Sequence, residues 1–90
     1  MSAAADRHMD RVRQLPCVPC LIILGVRHPC EELHHVESSR DRKSNFLIIP
    51  CCVEMHRGPS GIHGLHRRGF MLRYRLDDLA MLAKVQELLA

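Results

Sequence analysis

The sequence predicts a single small α+β domain, and three observations favour that fold class. Short segments bounded by turn residues predict strands, at 32–36 and 46–49. Segments with helical periodicity lie near both ends of the 90-residue chain. Cysteine and histidine side chains are concentrated between those two helices. A chain of this length forms one domain with a thin core, so 1–90 is treated as one unit in which 1–5 form a frayed end.

The first half of the chain predicts one helix and up to three strands. Met9, Val12 and Leu15 recur every three residues, which predicts a helix over 6–15 that ends at Pro16. A β-branched apolar run at 21–26 is typical of a strand. The segments 32–36 and 46–49 predict two more strands, the second ended by Pro50, and 37–43 is a polar loop.

The second half predicts helices separated by breakers. A helix can begin within 51–56, and the Gly-Pro-Ser-Gly segment at 58–61 interrupts it. Gly64 and Gly69 predict that the following stretch is irregular. The clearest helix is 76–89, with Asp77 and Asp78 near the positive end of its dipole. Its predicted apolar face consists of Leu76, Leu79, Leu82, Ala83 and Leu89.

Composition indicates that this domain needs a covalent or metal cross-link. Aromatic residues make up 3% of the chain and Trp is absent, so large core anchors are scarce. Five cysteines are an odd number for a disulfide framework. The first ten residues carry no secretory signal, and the apolar stretch 21–24 is too short to span a bilayer. These features predict a cytoplasmic protein, no membrane partner and free thiols, while the net charge of +3 is compatible with nucleic acid without demanding it.

The thiols predict a structural zinc site. Cys17 and Cys20 form a C-x-x-C pair, which places two sulfurs on one turn, and Cys52 follows the last strand. The fourth ligand stays open: Met55 lies three residues after Cys52 but is a poor ligand, which leaves a substitute among other Cys and His residues. The substitutes are Cys30, Cys51 and His56. A redox-active pair and free buried thiols are the alternative interpretations.

The histidines indicate a second site. His34 and His35 are adjacent on a predicted strand, so their side chains point to opposite faces unless a bulge or strand end intervenes. One can bind a metal ion while its neighbour acts as a base. Asn45 and His56 are grouped with this pair, whereas His8, His28 and His66 taken singly are interpreted as ordinary surface histidines.

The order of these motifs resembles the HNH (ββα-metal) endonucleases, and most of all the phage recombination-enhancement, RecA-dependent nuclease group. The resemblance covers about residues 9–89, and the order of motifs is more specific than any one of them. The matching segments are Leu-Pro-Cys at 15–17, His-His at 34–35, Ile-Pro-Cys-Cys at 49–52, His-Arg-Gly at 56–58, Ile-His-Gly at 62–64 and a Tyr-to-Leu segment at 74–79. Met55 departs from the pattern, because the family usually has a metal-binding residue there.

This resemblance implies a zinc-stabilised ββα-metal domain that cuts DNA. His34 and either His56 or His63 would hold a catalytic divalent cation, which could be Mg²⁺, Mn²⁺, Ni²⁺ or Zn²⁺. His35 would be the general base, oriented by Asn45. DNA would be the main partner, with a recombinase as a further one, in the host cytosol if the protein is phage-encoded. The residues expected to neutralise phosphates are Arg42, Lys43, Arg57, Arg67 and Arg68.

Two other functions compete with the nuclease. If His56 were diverted to zinc, the catalytic site would lose a ligand, and the chain would be a degenerate zinc module that binds nucleic acid or protein without cutting. The other is a helical interaction protein whose Cys and His residues are incidental and whose C-terminal helix supplies a dimer face.

Overall fold

A computed structural model describes residues 2–37 and 43–90, and describes Lys43 by its backbone alone. These residues form a compact α+β arrangement of helices and a two-stranded antiparallel sheet, as the sequence predicts. No helix in these two ranges is long and apolar enough to cross a membrane. The elements in chain order are α1 (Ala3–Arg13), a π-helical turn (Cys20–Leu24), β1 (Glu32–Glu37), β2 (Lys43–Cys51), α2 (Val53–Arg57), α3 (Ile62–Tyr74) and α4 (Asp78–Leu89).

Helix α1 begins earlier than the sequence predicts. The Ser2 hydroxyl accepts the backbone N–H of Ala5 at 3.0 Å and caps the helix. Ala5, Met9 and Val12 are buried and recur at helical spacing, which turns one face of α1 toward the sheet. The expectation of a frayed end is therefore wrong for residues 2–5, while Met1 lies outside the described residues.

The two strands form a hairpin that places both adjacent histidines opposite apolar residues of β2. His34 pairs with Ile49 and His35 pairs with Ile48. The register shifts between His35 and Glu37, which is the bulge that the sequence analysis allowed for. Strand β2 is longer than predicted and continues through Pro50, which a two-stranded sheet tolerates because each strand has an unpaired edge. Of the predicted polar loop, 38–42 lie outside the described residues.

The apolar run after the C-x-x-C pair is helical, so the strand predicted at 21–26 is wrong. The backbone N–H of Leu21 donates to the carbonyl of Cys17 at 3.0 Å, which closes a helical turn across the two cysteines. Gly25 ends this turn in the left-handed region, with φ of 68°. The side chain of Leu24 is 60% exposed, so β-branched composition here does not report on a buried strand.

The stretch after α2 is helical rather than irregular, which corrects the interpretation of its glycines. A Cβ atom at Gly64 would lie 2.2 Å from the carbonyl oxygen of Gly58. The glycine thus permits close backbone packing between the segment that follows α2 and α3, and is not a breaker. Helix α3 is interrupted once, at His66, whose φ of 62° and ψ of 166° are not helical.

Helix α4 begins two residues after the predicted start and turns a different face to the core. The Asp77 carboxylate caps it by accepting the N–H of Ala80 at 2.8 Å. Met81 and Val85 are buried, whereas Leu79 is 75% exposed, so the predicted apolar face is wrong at that position. The main core packs α1, β2 and α4 together, and its members of zero exposure include Val12, Val18, Ile48, Ile49 and Cys51.

Candidate metal centres

Three thiols from two separate segments converge at one side of the hairpin. Cys17, Cys20 and Cys52 are buried, and their sulfurs all lie within 4.8 Å of one another. The sulfurs of Cys20 and Cys52 are 3.7 Å apart, and all five cysteines are free thiols. Backbone pairing creates this convergence, because Pro16 bridges to Pro29 and the next backbone N–H donates to the carbonyl of residue 28 at 2.7 Å.

The spacing of these sulfurs fits a tetrahedral zinc ion. With Zn–S bonds of about 2.3 Å, two thiolates on one tetrahedral ion lie about 3.8 Å apart. The distance between Cys20 and Cys52 agrees with this value. The backbone N–H of Cys20 points at the sulfur of Cys17 at 3.5 Å, and that of Met55 points at the sulfur of Cys52 at 3.4 Å. These donors stabilise negative charge on sulfur, so the group has the composition and geometry of a zinc site.

Burial makes the thiols weak acids when no cation is present. Desolvation raises the pKa of Cys20, with further increases from its hydrogen bonds to the other two thiols. Desolvation likewise raises the pKa of Cys17, against an opposing contribution from backbone N–H donors. A bound dication supplies the charge that makes thiolates stable in such a site. Low-pKa redox thiols are therefore not what this environment favours.

The residues proposed as a fourth zinc ligand lie elsewhere. The side chain of Cys51 points into the main core, and the S–H of Cys30 donates to the carbonyl of Glu32 at 3.3 Å. Met55 packs against the three thiols, but a thioether is a poor zinc ligand. His56 belongs to a different group. None of the candidates named from the sequence completes the thiol site.

Three imidazoles, supplied by β1, α2 and α3, form a second group. Ligand atoms of His34, His56 and His63 all lie within 4.8 Å of one another, and the first two residues are buried. The Nε2 atoms of His56 and His63 are 3.1 Å apart. Two nitrogens bound to one ion at about 2.0–2.1 Å lie about 3.0–3.4 Å apart, depending on coordination geometry. This group therefore also fits a metal ion, and it contains both residues that the sequence offered as alternatives.

A carboxylate behind His56 sets the orientation of its ring. Nδ1 of His56 donates to Glu32 Oε1 at 2.7 Å, so Nε2 carries the lone pair that faces His63. Arg57 binds the same carboxylate through two nitrogens, at 2.9 and 2.5 Å. The hydrogen bond from His56, and then that from Arg57, lowers the pKa of Glu32 and keeps it ionised. Glu32 lies two residues before His34, on the same face of β1, and this spacing was the signal that could have assigned it a role.

The other histidine of the pair is held by a hydrogen bond across the hairpin. Nε2 of His35 lies 2.9 Å from the side-chain oxygen of Asn45 on the neighbouring strand. An amide oxygen only accepts, so Nε2 carries the proton and Nδ1 carries the lone pair. The structure thus brings together the two residues that the sequence paired across the hairpin.

The imidazole group and His35 line one cleft of about 310 Å³. His66 and Arg67 from α3 and Asp78 from α4 complete its opposite side. Arg67 binds Asp78 at 2.8 Å, and burial raises the pKa of that carboxyl, while Arg67 acts in the opposite direction. From the sequence, His66 was expected to be a surface residue and Asp78 to interact with the helix dipole, because only the tertiary fold brings them to the cleft.

The cationic residues expected to bind phosphate divide into three cases. Arg57 and Arg67 already bind carboxylates within the protein, so a phosphate would have to compete for them. Arg68 is exposed on α3. Arg42 lies outside the described residues, as does the side chain of Lys43.

Comparison with known proteins adds no assignment. No protein-family model matches this sequence, and no curated protein matches it significantly.

Proposed function

We propose that this chain is a metal-dependent HNH-type endonuclease that hydrolyses phosphodiester bonds in DNA. The observation that carries the proposal is that His34, His56 and His63 converge on one cleft wall beside an oriented His35. A metal site next to a fixed base is the arrangement that phosphodiester hydrolysis requires. The resemblance of the motif order to HNH nucleases supports the same activity.

The residues divide the chemistry between them. A divalent cation bound by the three imidazoles would stabilise negative charge on the scissile phosphate and the leaving oxygen. Nδ1 of His35 removes a proton from the attacking water, and Asn45 holds the ring in the tautomer that makes this possible. Glu32 keeps the Nε2 lone pair of His56 directed at the group. The thiol site would hold zinc in a structural role.

The competing function is a zinc module that binds without cutting. That function would require His56 to bind the structural zinc, so that the catalytic site would lack a ligand. His56 instead lies with His34 and His63 and is held there by Glu32, which supports the catalytic proposal. In either case phosphate contacts would make DNA binding weaken with salt. A cytoplasmic location, with a recombinase as a second partner, belongs to the same proposal.

A plasmid-nicking assay with Mg²⁺, Mn²⁺ and Ni²⁺ tests this function. Replacement of His35 by Ala should reduce the nicking rate by about 10²–10⁴-fold, the usual contribution of a general base. Asn45→Ala should cause a smaller loss of about 10–100-fold, because it acts through His35. His8→Ala is the matched control, since His8 stacks on Phe46 outside the cleft. If His35→Ala cuts as fast as the parent, His35 is not the base.

A further inference from the structure

The thiol site needs one more ligand, and the geometry points to His28 as that ligand. Structural zinc sites are closed by four protein ligands, of which three are in place here. The site is then a Cys₃His site made of Cys17, Cys20, Cys52 and His28, and this assignment does not depend on the proposed nuclease activity.

Ligand atoms of His28, Glu31 and Cys52 lie within 4.8 Å of one another. This group of His28, Glu31 and Cys52 shares Cys52 with the thiol group, so His28 lies at the edge of the zinc site. Ligands on one tetrahedral zinc lie about 3.3–3.8 Å apart, so the imidazole needs to move closer to the Cys52 sulfur by no more than about 1.5 Å. A half-buried side chain on an irregular segment can make such a shift by a small adjustment of its χ angles within the same rotamer.

The backbone around His28 is already tied to the site. Its carbonyl accepts the N–H of Cys17 at 2.7 Å, which fixes the position of the segment beside the first ligand. Nδ1 of His28 lies 3.1 Å from the carbonyl oxygen of Pro29. Since a carbonyl only accepts, Nδ1 carries the proton and Nε2 is left as the donor atom for zinc. A ring N–H bonded to a backbone carbonyl is the usual support of a zinc-binding histidine.

Glu31 is the other candidate, and its role is already defined. Its Oε1 accepts the backbone N–H of Val53 at 2.9 Å, which is the first residue of α2. Capping this helix start accounts for the carboxylate, and thiolate-rich sites favour a nitrogen over a hard oxygen as the fourth ligand. Glu31 therefore acts on the helix next to the site.

Cobalt and zinc titrations of the full chain test the assignment. The sulfur-to-cobalt charge-transfer band arises only at thiolates, so it reports on this site whether or not the imidazole group also binds cobalt. His28→Ala should weaken zinc binding by about 100-fold, the upper end of the loss seen for residues that only support a metal ligand. The zinc affinity is measured by displacement of bound cobalt, which removes the charge-transfer band. Glu31→Gln, the matched control, should leave the zinc affinity at the parent value.

A rescue variant separates loss of a ligand from loss of the fold. Met55 lies three residues after Cys52, the same spacing as in the C-x-x-C pair, and contacts the thiols. Adding Met55→His to His28→Ala should restore the zinc affinity and the tetrahedral cobalt spectrum. In the unmodified chain, zinc should also shift the NMR signals of the His28 ring.

Several results would overturn the assignment. They are parent-like zinc affinity in His28→Ala, a loss caused by Glu31→Gln instead, and a His28 ring whose NMR signals do not respond to zinc. If the parent protein shows no charge-transfer band, the thiols do not bind the metal and there is no zinc site for His28 to complete. None of these readings uses DNA cleavage, so failure of the nuclease proposal leaves them unchanged.

Discussion

Replacement of His66 by Gly should stabilise the protein, although it removes a side chain from the cleft. His66 has φ of 62° and ψ of 166°, a region that is adopted almost only by glycine. A non-glycine residue held there costs about 1–3 kcal/mol. Such strain is typical of positions where a side chain is needed for function, and His66 lines the cleft with the three imidazoles.

The expected gain follows from two opposing contributions. Relief of the strain favours the folded state, while the greater freedom of glycine in the unfolded chain costs about 0.5–1 kcal/mol. With the middle of each range, about 2 and about 0.75 kcal/mol, the net stabilisation is about 1.2 kcal/mol. The entropy of unfolding is about 2.1 cal/mol/K per residue, or about 190 cal/mol/K for 90 residues. The melting temperature should therefore rise by about 6 °C.

Thermal and urea unfolding at saturating zinc measure this difference. His66→Ala is the first control, because it removes the imidazole but keeps the strained backbone, so it should show no gain. Arg75→Gly is the second control. Arg75 has φ of 53° and ψ of 43°, in the left-handed helical region, where a non-glycine residue costs less free energy than at His66. Its replacement should therefore stabilise the protein less than His66→Gly. If His66→Gly is no more stable than His66→Ala, the backbone at residue 66 carries no strain that glycine relieves.

Two further predictions concern packing and alkaline pH. Gly64→Ala should destabilise the fold by more than about 1 kcal/mol in urea unfolding, because its Cβ would collide with the Gly58 carbonyl oxygen. Gly69→Ala is the control and should be tolerated, because its Cβ would lie 3.3 Å from the nearest side-chain atom. Burial raises the pKa of Cys51 well above 9.0, so its contribution to stability is complete below pH 9.0 and is lost as pH rises toward the folded-state pKa. Chelator-treated protein should thus lose stability in alkaline denaturation curves, and Cys51→Ala should lose less; equal curves would contradict this.

Local signals predicted the parts of the fold that depend on neighbours in the chain. The C-x-x-C pair was identified because its spacing alone places two sulfurs on one turn, and the adjacent histidines because neighbours on a strand can have two separate roles. The hairpin strand 32–36 and helix α4 were also predicted by local pattern. By contrast, the β-branched residues at 21–26 resemble a strand, although the segment folds as a π-helical turn that begins at Cys20, whose sulfur lies beside that of Cys52.

Long-range contacts account for what sequence analysis missed. Glycines were interpreted as breakers, but Gly64 serves a close backbone approach that depends on the position of Gly58. His28 was interpreted as a surface residue because Cys52, whose sulfur lies near its ring, is 24 positions away in the sequence. Asp78 was assigned to the helix dipole, and its ion pair with Arg67 joins residues of α4 and α3 that are eleven positions apart in the sequence.

The thiol site and the imidazole site are mechanically connected through α2. Cys52 caps this helix and its carbonyl accepts the N–H of His56 at 3.0 Å, so one helical turn joins the two ligands. Glu32, paired with Cys51 across the sheet, holds His56 from the other side. A helix of five residues has little stability of its own. Its start is therefore held by the thiols, and a zinc ion bound there would determine the position of His56 in the cleft.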